Sequence, residues 1–219
     1  MRYYIFKDGI ERKVTIGKII CLARSYRKHA EEMNQTITKD PLLFLKPASS
    51  VIFNGESIII PSISKCLHHE VELGVVINKK CKDIEQKRAL DFVLGYCIAL
   101  DITARDIQDE AKKFGWPWSI AKGFDSFTPI SDVILKDKIH NPNELDILLK
   151  VNGKLKQNSN TKYMIYSVEK IIEFISCIMT LEEGDLILTG TPEGVGEIVK
   201  GDVLEAKLGN FSSLKVDVR

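Results

Sequence analysis

The chain has 219 residues, of which 44% are hydrophobic and 28% are charged. These fractions are typical of globular proteins and exclude disordered, collagenous and low-complexity chains. The 31 basic residues balance 30 acidic ones, so the net charge of +1 does not favour nucleic acid as a partner. The apolar runs, such as 58–60 and 98–100, are far shorter than the roughly 20 residues of a membrane helix. We therefore expect no membrane partner.

Targeting and cysteine content indicate a reducing compartment. Residues 1–9 lack the apolar run of a signal peptide, and no mitochondrial presequence is visible. The five cysteines are odd in number, widely spaced and without a C-x-x-C motif, which predicts free thiols. We expect a cytoplasmic protein, or a mitochondrial one if the organism is eukaryotic. Cys97 and Cys177 lie in apolar runs and are predicted to belong to the core.

Strands outnumber helices in the pattern of apolar residues. Short strands with turns at Asp8-Gly9 and Gly17 are predicted within 3–20, and a helix over 26–33 has Ser25 as its N-cap. Further strands are predicted over 42–45, 51–53, 57–60, 69–77, 96–100, 145–151, 154–157, 185–189, 203–208 and 213–218. Further helices are predicted over 85–94, which Gly95 would end, 105–114 and 167–179.

Hairpin connections are commoner in this order than strand–helix–strand units. Asn152-Gly153, between two predicted strands, is a strong signal for a tight hairpin. The pattern therefore predicts an α+β fold with a large mixed or antiparallel sheet system. Because no repeat, linker or break in composition is visible, we expect residues 1–219 to form one domain.

The most informative segment is 69–76, where two glutamates interrupt an apolar strand. Side chains alternate along a strand, so Val71, Leu73 and Val75 share one face while Glu70 and Glu72 share the other. Unpaired buried carboxylates cost several kcal/mol, by order of magnitude, and a cation between them removes that cost. A solvent-exposed outer face of the strand is the alternative interpretation.

A third carboxylate favours the cation. Asp101 ends the apolar run 96–100, and three carboxylates without a cysteine or histidine cluster suit Mg²⁺ or Mn²⁺. About three of the roughly six coordination positions would remain for water and substrate. A substrate with a carboxylate beside a ketone would fill two of them.

His29 and Glu32 are three residues apart on the first predicted helix and lie on one face. A carboxylate that orients a histidine ring is a general-base arrangement. An ordinary exposed helical pair has the same spacing, and the spacing alone favours that interpretation. Lys46 and Lys122 each end an apolar stretch, where a lysine can enter a site but more often extends to solvent.

The segment 190–196 is rich in glycine and follows a predicted strand. It is neither a P-loop nor a dinucleotide-binding motif, but its backbone N–H groups could hold a carboxylate. A plain turn fits the composition equally well. The run 66–69 invites a zinc interpretation, which lacks a second cluster of cysteine or histidine at a suitable spacing.

Four segments, 67–76, 100–108, 121–125 and 188–196, resemble blocks of the fumarylacetoacetate hydrolase family in the same order. The resemblance covers nearly the whole chain. The short N-terminal part, with His29 and Glu32, resembles the small acylpyruvate hydrolase and oxaloacetate decarboxylase branch. The family's Gly-Arg-Asn-Tyr becomes Ala23-Arg24-Ser25-Tyr26 here, a change that still offers an N-cap but can alter how the first helix docks and which substrates fit.

The resemblance implies a mixed β-roll with peripheral helices, usually a homodimer. It implies Mg²⁺ or Mn²⁺ ligands at Glu70, Glu72 and Asp101. It also implies a catalytic pair, His29 and Glu32, on a lid-like helix, with Lys122 stabilising negative charge. The implied substrate-binding residues are Arg24, Lys46, Arg105, Gln108 and Thr191.

The expected substrate is a short β-keto acid, and the expected reactions share an enolate stabilised by the metal. They are hydrolysis of an acylpyruvate to pyruvate, decarboxylation of oxaloacetate and its keto–enol tautomerisation, which the residues do not rank. One alternative is an isomerase or decarboxylase of hydroxymuconate-type dicarboxylates. Another is a metal-binding scaffold without catalysis.

Overall fold

The computed structural model describes residues 2–7, 9, 12–32 and 40–219, and strands dominate that part of the chain. The strands in chain order are β1 Ile19–Ala23, β2 Leu42–Lys46, β3 Val51–Phe53, β4 Ser57–Ile58, β5 Leu67–His69, β6 Val71–Ile77, β7 Val93–Leu100, β8 Thr103–Ala104, β9 Thr128–Ile130, β10 Ile134–Leu135, β11 Asp146–Val151, β12 Lys154–Asn160, β13 Leu186–Leu188, β14 Gly196–Ile198, β15 Val203–Leu208 and β16 Ser212–Val218. The α-helices are α1 Arg27–Glu32, α2 Arg105–Phe114, α3 Ser119–Lys122 and α4 Val168–Ile178. Single 3₁₀ segments span Ala48–Ser50, Gln86–Phe92, Lys136–Lys138 and Thr161–Tyr163.

Three sheets contain these strands. The largest has the order β2-β1-β13-β6-β7-β9-β3, with β10 also paired to β7. A five-stranded sheet has the order β12-β11-β15-β16-β4, and a three-stranded one has the order β14-β5-β8. Pairs β1/β13, β3/β9 and β4/β16 are parallel and the others are antiparallel. The predicted α+β fold with a mixed sheet system is confirmed.

The core lies on both faces of the largest sheet. Val71, Leu73 and Val75 of β6 join a large apolar cluster that includes the inner residues of the five-stranded sheet. Val76 of β6 and Cys97 of β7 belong to a smaller cluster on the opposite face. The predicted alternation along β6 is therefore confirmed, although every residue of the strand is buried.

Several predicted elements are confirmed closely. Helix α2 has the predicted bounds, and Gly115 ends it in the left-handed conformation at φ 70°. The hairpin between β11 and β12 turns at Asn152 and Gly153, both with positive φ. Helix α4 begins after Ser167, whose side chain accepts a hydrogen bond from Lys170 N at 3.2 Å.

The predicted helix over 85–94 is wrong at its end. Gln86–Phe92 forms a 3₁₀ segment and Gly95 lies inside β7 instead of ending a helix. A Cβ atom at Gly95 would lie 2.3 Å from the carbonyl oxygen of Ile134. The glycine therefore allows β10 to approach β7, a tertiary requirement that looks like a helix stop in the sequence.

Three other local predictions need correction. Within the described residues before Lys18, the expected strands reduce to isolated bridges such as Tyr3 to Thr15. Cys97 is buried as predicted, but Cys177 is exposed because it lies on the outer side of α4. Lys122 ends the short helix α3 rather than an apolar strand.

The described part of α1 is shorter than predicted, and Met33 lies outside the described residues. None of the helices in the described ranges is long and apolar enough to cross a membrane.

Candidate metal centre and active site

Three carboxylates meet at one end of the largest sheet. Glu70, Glu72 and Asp101 each offer an oxygen, and these oxygens all lie within 4.8 Å of one another. Exposure is 6% for Glu70, 1% for Glu72 and 0% for Asp101. The solvent-exposed interpretation of this strand face is therefore excluded. Among the described residues, this is the one group of three or more His, Cys, Asp or Glu side chains close enough to hold a metal ion.

Strand pairing brings the carboxylates together. Glu70 lies just before β6, and its carbonyl oxygen accepts a hydrogen bond from Asp101 N at 2.8 Å. Glu72 pairs with Ala99 across the antiparallel β6/β7 ladder. Because alternate residues share a face, Glu72 and Asp101 project from the side that carries the smaller apolar cluster.

Three cations from separate elements face these carboxylates. Lys46, at the end of β2, donates to Asp101 Oδ1 at 2.5 Å and to the carbonyl oxygen of Phe127 at 2.7 Å. Lys122 donates to Glu70 Oε2 at 2.8 Å and also to Asp101. Arg105, the first residue of α2, donates to Glu70. Both lysines are 2% exposed, so neither extends to solvent.

The electrostatic environment shifts the pKa values of Glu70 and Glu72 in opposite directions. Burial would raise the pKa of Glu70, but Lys122 and Arg105 outweigh it and hold that pKa far below its usual range. Burial, reinforced by the charges of Asp101 and Glu70, raises the pKa of Glu72 well above its usual range. Burial opposes the charge of Lys122, yet Asp101 and Glu70 raise its pKa and keep it protonated at neutral pH.

The donor set fits a hard divalent cation. Carboxylate oxygens are the ligands that Mg²⁺ and Mn²⁺ prefer, and Glu72 has no ammonium or guanidinium partner among the described residues. Its Oε2 instead accepts a hydrogen bond from the backbone N–H of Gly190 at 2.6 Å. A cation beside Glu72 would relieve the repulsion from its two carboxylate neighbours.

The histidine–glutamate pair lies on α1, next to this centre. His29 Nδ1 is 3.3 Å from Glu32 Oε2, and His29 lines the pocket above the carboxylates. Glu32 also accepts hydrogen bonds from the backbone N–H of Gly194 at 3.1 and 3.2 Å. The glycine-rich segment 190–196 therefore contacts both the acidic centre and α1.

The pocket is a narrow cavity of about 40 Å³ that brings most of the predicted site residues together. Arg24 has a positive φ of 58°, and Arg105 donates to Gln108 Oε1 at 2.5 Å. Lys46 is buried beneath the pocket, behind Asp101. The lining residues are Leu22, Ala23, Arg24, His29, Phe44, Glu70, Glu72, Arg105, Gln108, Lys112, Trp118, Lys122 and Thr191.

The zinc interpretation of 66–69 finds no support in the geometry. His68 Nδ1 accepts a hydrogen bond from Arg105 Nε at 3.3 Å, and His69 Nδ1 faces Gln157 Oε1 at 3.1 Å. Burial and the neighbouring Arg105 lower the pKa of His68 to about 4, so it is neutral at pH 7. Cys66 belongs to no metal-binding group among the described residues.

Sequence reasoning missed several residues of the site. Phe44 and Trp118 form an apolar wall, with ring centroids 5.7 Å apart in an edge-to-face arrangement. Lys112 adds a half-buried cation to the lining. Gln157 lies behind the acidic strand and is 1% exposed. Side chains alternate along β2, so Phe44 points to the same face as Lys46. This alternation could have identified Phe44 as a site residue from the sequence.

Most of the chain matches a known protein family. The family described as fumarylacetoacetate (FAA) hydrolase, C-terminal, matches residues 18–219. The chain belongs to this family. The predicted family and β-roll type of fold are thereby confirmed. The match covers the acidic centre, α1 and the glycine-rich segment.

Relatives and solved structures with whole-chain similarity carry enzyme names. The chain is 48% identical to the mitochondrial oxaloacetate tautomerase FAHD1 of Arabidopsis thaliana, and the match covers 98% of this chain and 93% of that one. The fumarylpyruvate hydrolase of Pseudomonas aeruginosa, solved with Mn²⁺ and pyruvate, superposes with a TM-score of 0.94 at 32% identity, covering 98% of this chain and 94% of that one. The 5-carboxymethyl-2-hydroxymuconate delta-isomerase of Mycobacterium smegmatis superposes with a TM-score of 0.84 at 38% identity, covering 94% and 80%. The prediction that the chain is an enzyme is confirmed.

Proposed function

We propose that this protein is a divalent-cation-dependent enzyme of short β-keto acids whose main reaction is keto–enol tautomerisation of oxaloacetate. The observation that carries the proposal is the buried trio of Glu70, Glu72 and Asp101 beside the pocket. The 48% identity to an oxaloacetate tautomerase supports this choice among the three expected reactions.

The charges of the site favour a substrate with two negative charges. Three buried carboxylates face three buried cations, so the centre is balanced when all six are ionised. A divalent cation adds two positive charges to this balanced set. A dicarboxylate such as oxaloacetate neutralises them, which makes it a better electrostatic match than a monoanion.

The metal expected is Mg²⁺ or Mn²⁺, held by the three carboxylates. When bound, it supplies a Lewis acid that polarises the 2-keto oxygen of the substrate. The Mn²⁺ in the similar hydrolase structure supports a metal of this class, and Mg²⁺ is the proposed ion here.

Protein groups around the pocket would orient the substrate and move its proton. Tautomerisation transfers a proton from C3 to the oxygen on C2. His29 is the proposed base for C3, because Glu32 faces its Nδ1 and leaves Nε2 to contact the substrate. Lys122 would stabilise the negative charge that develops on oxygen. Arg24, Arg105, Gln108 and Thr191, which line the pocket, are the proposed substrate-binding residues. Lys46 contacts Asp101 and is proposed to act on substrate binding through that carboxylate.

Hydrolysis of acylpyruvates is the second candidate, favoured by the same His29–Glu32 contact. Here His29 would take a proton from water as the water attacks the distal carbonyl carbon. The bond between that carbon and the neighbouring methylene then breaks, giving a carboxylic acid and pyruvate once the methylene carbon is protonated. Oxaloacetate decarboxylation would reach the same pyruvate enolate by loss of CO₂. The similarity to a fumarylpyruvate hydrolase supports the hydrolysis of acylpyruvates as the second candidate.

The test follows the enol form of oxaloacetate by its ultraviolet absorbance, and pyruvate release from acetylpyruvate and oxaloacetate, with Mg²⁺ or EDTA. Because Mg²⁺ alone promotes decarboxylation, Glu70→Gln and Asp101→Asn accompany the wild type, with the exposed Glu85→Gln as matched control. We expect metal-dependent activity in the wild type and control, and its loss in the two site variants. Full metal-dependent activity in Glu70→Gln would overturn the ligand assignment, and wild-type rates in His29→Ala would overturn the base assignment.

A homodimer and a cytoplasmic location, or a mitochondrial one in a eukaryote, complete the proposal. Light scattering after size-exclusion chromatography measures the first, and imaging of a tagged protein in its own organism measures the second. A monomeric mass with full activity would refute a functional dimer.

A further inference from the structure

One residue of β12 differs from its neighbours. The strand Lys154–Asn160 is polar apart from the exposed Leu155, and most of its residues are exposed, yet Gln157 is 1% exposed. Burying an amide without hydrogen bonds is unfavourable. Its burial therefore indicates that its hydrogen bonds serve a purpose within the fold.

Both ends of the Gln157 amide are fully engaged. Oε1 accepts a hydrogen bond from Val71 N at 3.0 Å and faces His69 Nδ1 at 3.1 Å. Nε2 donates to Thr191 Oγ1 at 2.8 Å and to the carbonyl oxygen of Pro192 at 2.9 Å. The orientation of the amide is fixed, because a backbone N–H must meet its oxygen and a carbonyl must meet its nitrogen.

These contacts join two parts of the candidate site. Val71 lies between Glu70 and Glu72, so the oxygen of Gln157 holds the backbone that carries both glutamates. The nitrogen holds the segment in which Gly190 N–H contacts Glu72. The amide thus bridges the acidic strand and the glycine-rich segment from the side away from the pocket.

The same contacts decide what Thr191 can offer a substrate. Its hydroxyl donates to the carbonyl oxygen of Val71 at 2.9 Å while it accepts from Gln157. A hydroxyl has one proton, and here that proton is engaged. A substrate carboxylate at this position would therefore meet the backbone N–H of Thr191 rather than its hydroxyl.

We infer that Gln157 is a positioning residue that sets the separation between the acidic strand and the Thr191 backbone, and so tunes both metal and keto-acid binding. The part that concerns the keto acid rests on the proposed function, whereas the part that concerns the metal does not. Partners outside the ligand shell commonly change metal affinity or activity by about 10- to 100-fold.

The test compares wild type, Gln157→Met and Gln157→Glu by calorimetric titration with Mn²⁺, then with pyruvate at saturating Mn²⁺. Methionine keeps the length of the side chain and removes every hydrogen bond, so we expect Mn²⁺ and pyruvate to bind about 10-fold more weakly or worse. The glutamate of Gln157→Glu can still accept a hydrogen bond from Val71 N, but it loses most of the donation to Thr191 and Pro192. We expect Mn²⁺ affinity to recover towards wild type while pyruvate binding stays weak.

Lys154→Met, on an exposed position of the same strand, is the matched control. Thr191→Val tests the hydroxyl: it removes the link to Gln157 but keeps the backbone N–H, so it should resemble Gln157→Glu, and Thr191→Ser should restore pyruvate binding. If Gln157→Met lowers the melting temperature but binds both ligands like wild type, the residue is merely structural and the inference is wrong. If wild type binds Mn²⁺ but neither binds pyruvate nor turns over a keto acid, the proposed function fails, and the Mn²⁺ comparison still decides the role of Gln157.

Discussion

Replacing Lys46 with methionine tests whether the buried charges of the centre hold one another in place. The ammonium group of Lys46 donates to Asp101 Oδ1 at 2.5 Å and to the carbonyl oxygens of Phe127 and Ile102 at 2.7 and 3.3 Å. Both side chains of the Lys46–Asp101 pair are at most 1% exposed. The methionine of Lys46→Met fills a similar volume and supplies none of these contacts.

The expected cost follows from leaving a buried charge with one partner fewer. Removing one member of a buried ion pair costs about 3 to 5 kcal/mol, far more than the pair's net contribution to stability. Asp101 keeps its contact with Lys122, which places the expected loss near the lower end, about 3 kcal/mol. For a chain of this size each kcal/mol lowers the melting temperature by about 2 to 4 °C. We therefore expect a fall of about 6 to 12 °C without metal.

Urea unfolding in EDTA measures the free energy of unfolding of wild type, Lys46→Met, Asp101→Asn and the double variant. Adding Asp101→Asn should recover at least half of the loss, because it removes the stranded charge. Excess Mn²⁺ should stabilise Lys46→Met more than wild type. Lys170→Met, which breaks the exposed pair with Glu173 on α4, should leave the midpoint unchanged. The reasoning is refuted if Lys46→Met stays within about 1 kcal/mol of wild type.

Three further predictions concern the site and the fold. Glu72→Gln removes one of three mutually repelling carboxylates, so its metal-free melting temperature should equal or exceed that of wild type. Mn²⁺ should raise the melting temperature of this variant less than that of wild type. A Mn²⁺ shift as large as that of wild type in a thermal melt would contradict the ligand role of Glu72. Trp118→Ala shortens the apolar wall beside Phe44. It should raise kcat/KM for a bulky acylpyruvate relative to acetylpyruvate by about 10-fold. If the ratio of the two kcat/KM values does not change, the wall does not select substrates by size. Gly95→Ala places a Cβ 2.3 Å from the carbonyl oxygen of Ile134 and should lower the free energy of unfolding in urea by about 3 kcal/mol. A decrease of less than about 1 kcal/mol would show that β10 can move away from β7.

Local patterns predicted much of the secondary structure because their causes are local. The alternation along β6 follows from the geometry of a strand, and the end of α2 follows from the freedom of Gly115 to adopt a positive φ. Gly95 was misread for the opposite reason, since it answers to the approach of β10 rather than to its own neighbours in sequence. Cys177 was misplaced because an apolar run on a helix does not state which side faces the core.

The candidate site divides along the same line. The sequence by itself determined that Glu70 and Glu72 share a strand face, that His29 and Glu32 share a helix face, and, through four matching segments, the family. The local pattern favoured solvent for Lys46 and Lys122, yet both are buried in the site. A lysine at the end of an apolar run has the same local pattern in both cases.

Only the tertiary structure decided what surrounds the carboxylates. Lys46 reaches Asp101 across 55 positions of the chain, and Gln157 reaches Val71 across 86. The sequence does not distinguish Gln157 from its neighbours, because every residue of that strand except the exposed Leu155 is polar. Such contacts depend on the order and register of strands that are distant in sequence, and periodicity carries no information about either. The residues of the acidic strand are therefore enough to predict a pair of carboxylates that could bind a cation. The cations that balance the buried carboxylates come from separate elements, and only the packing of four such elements brings these charges together.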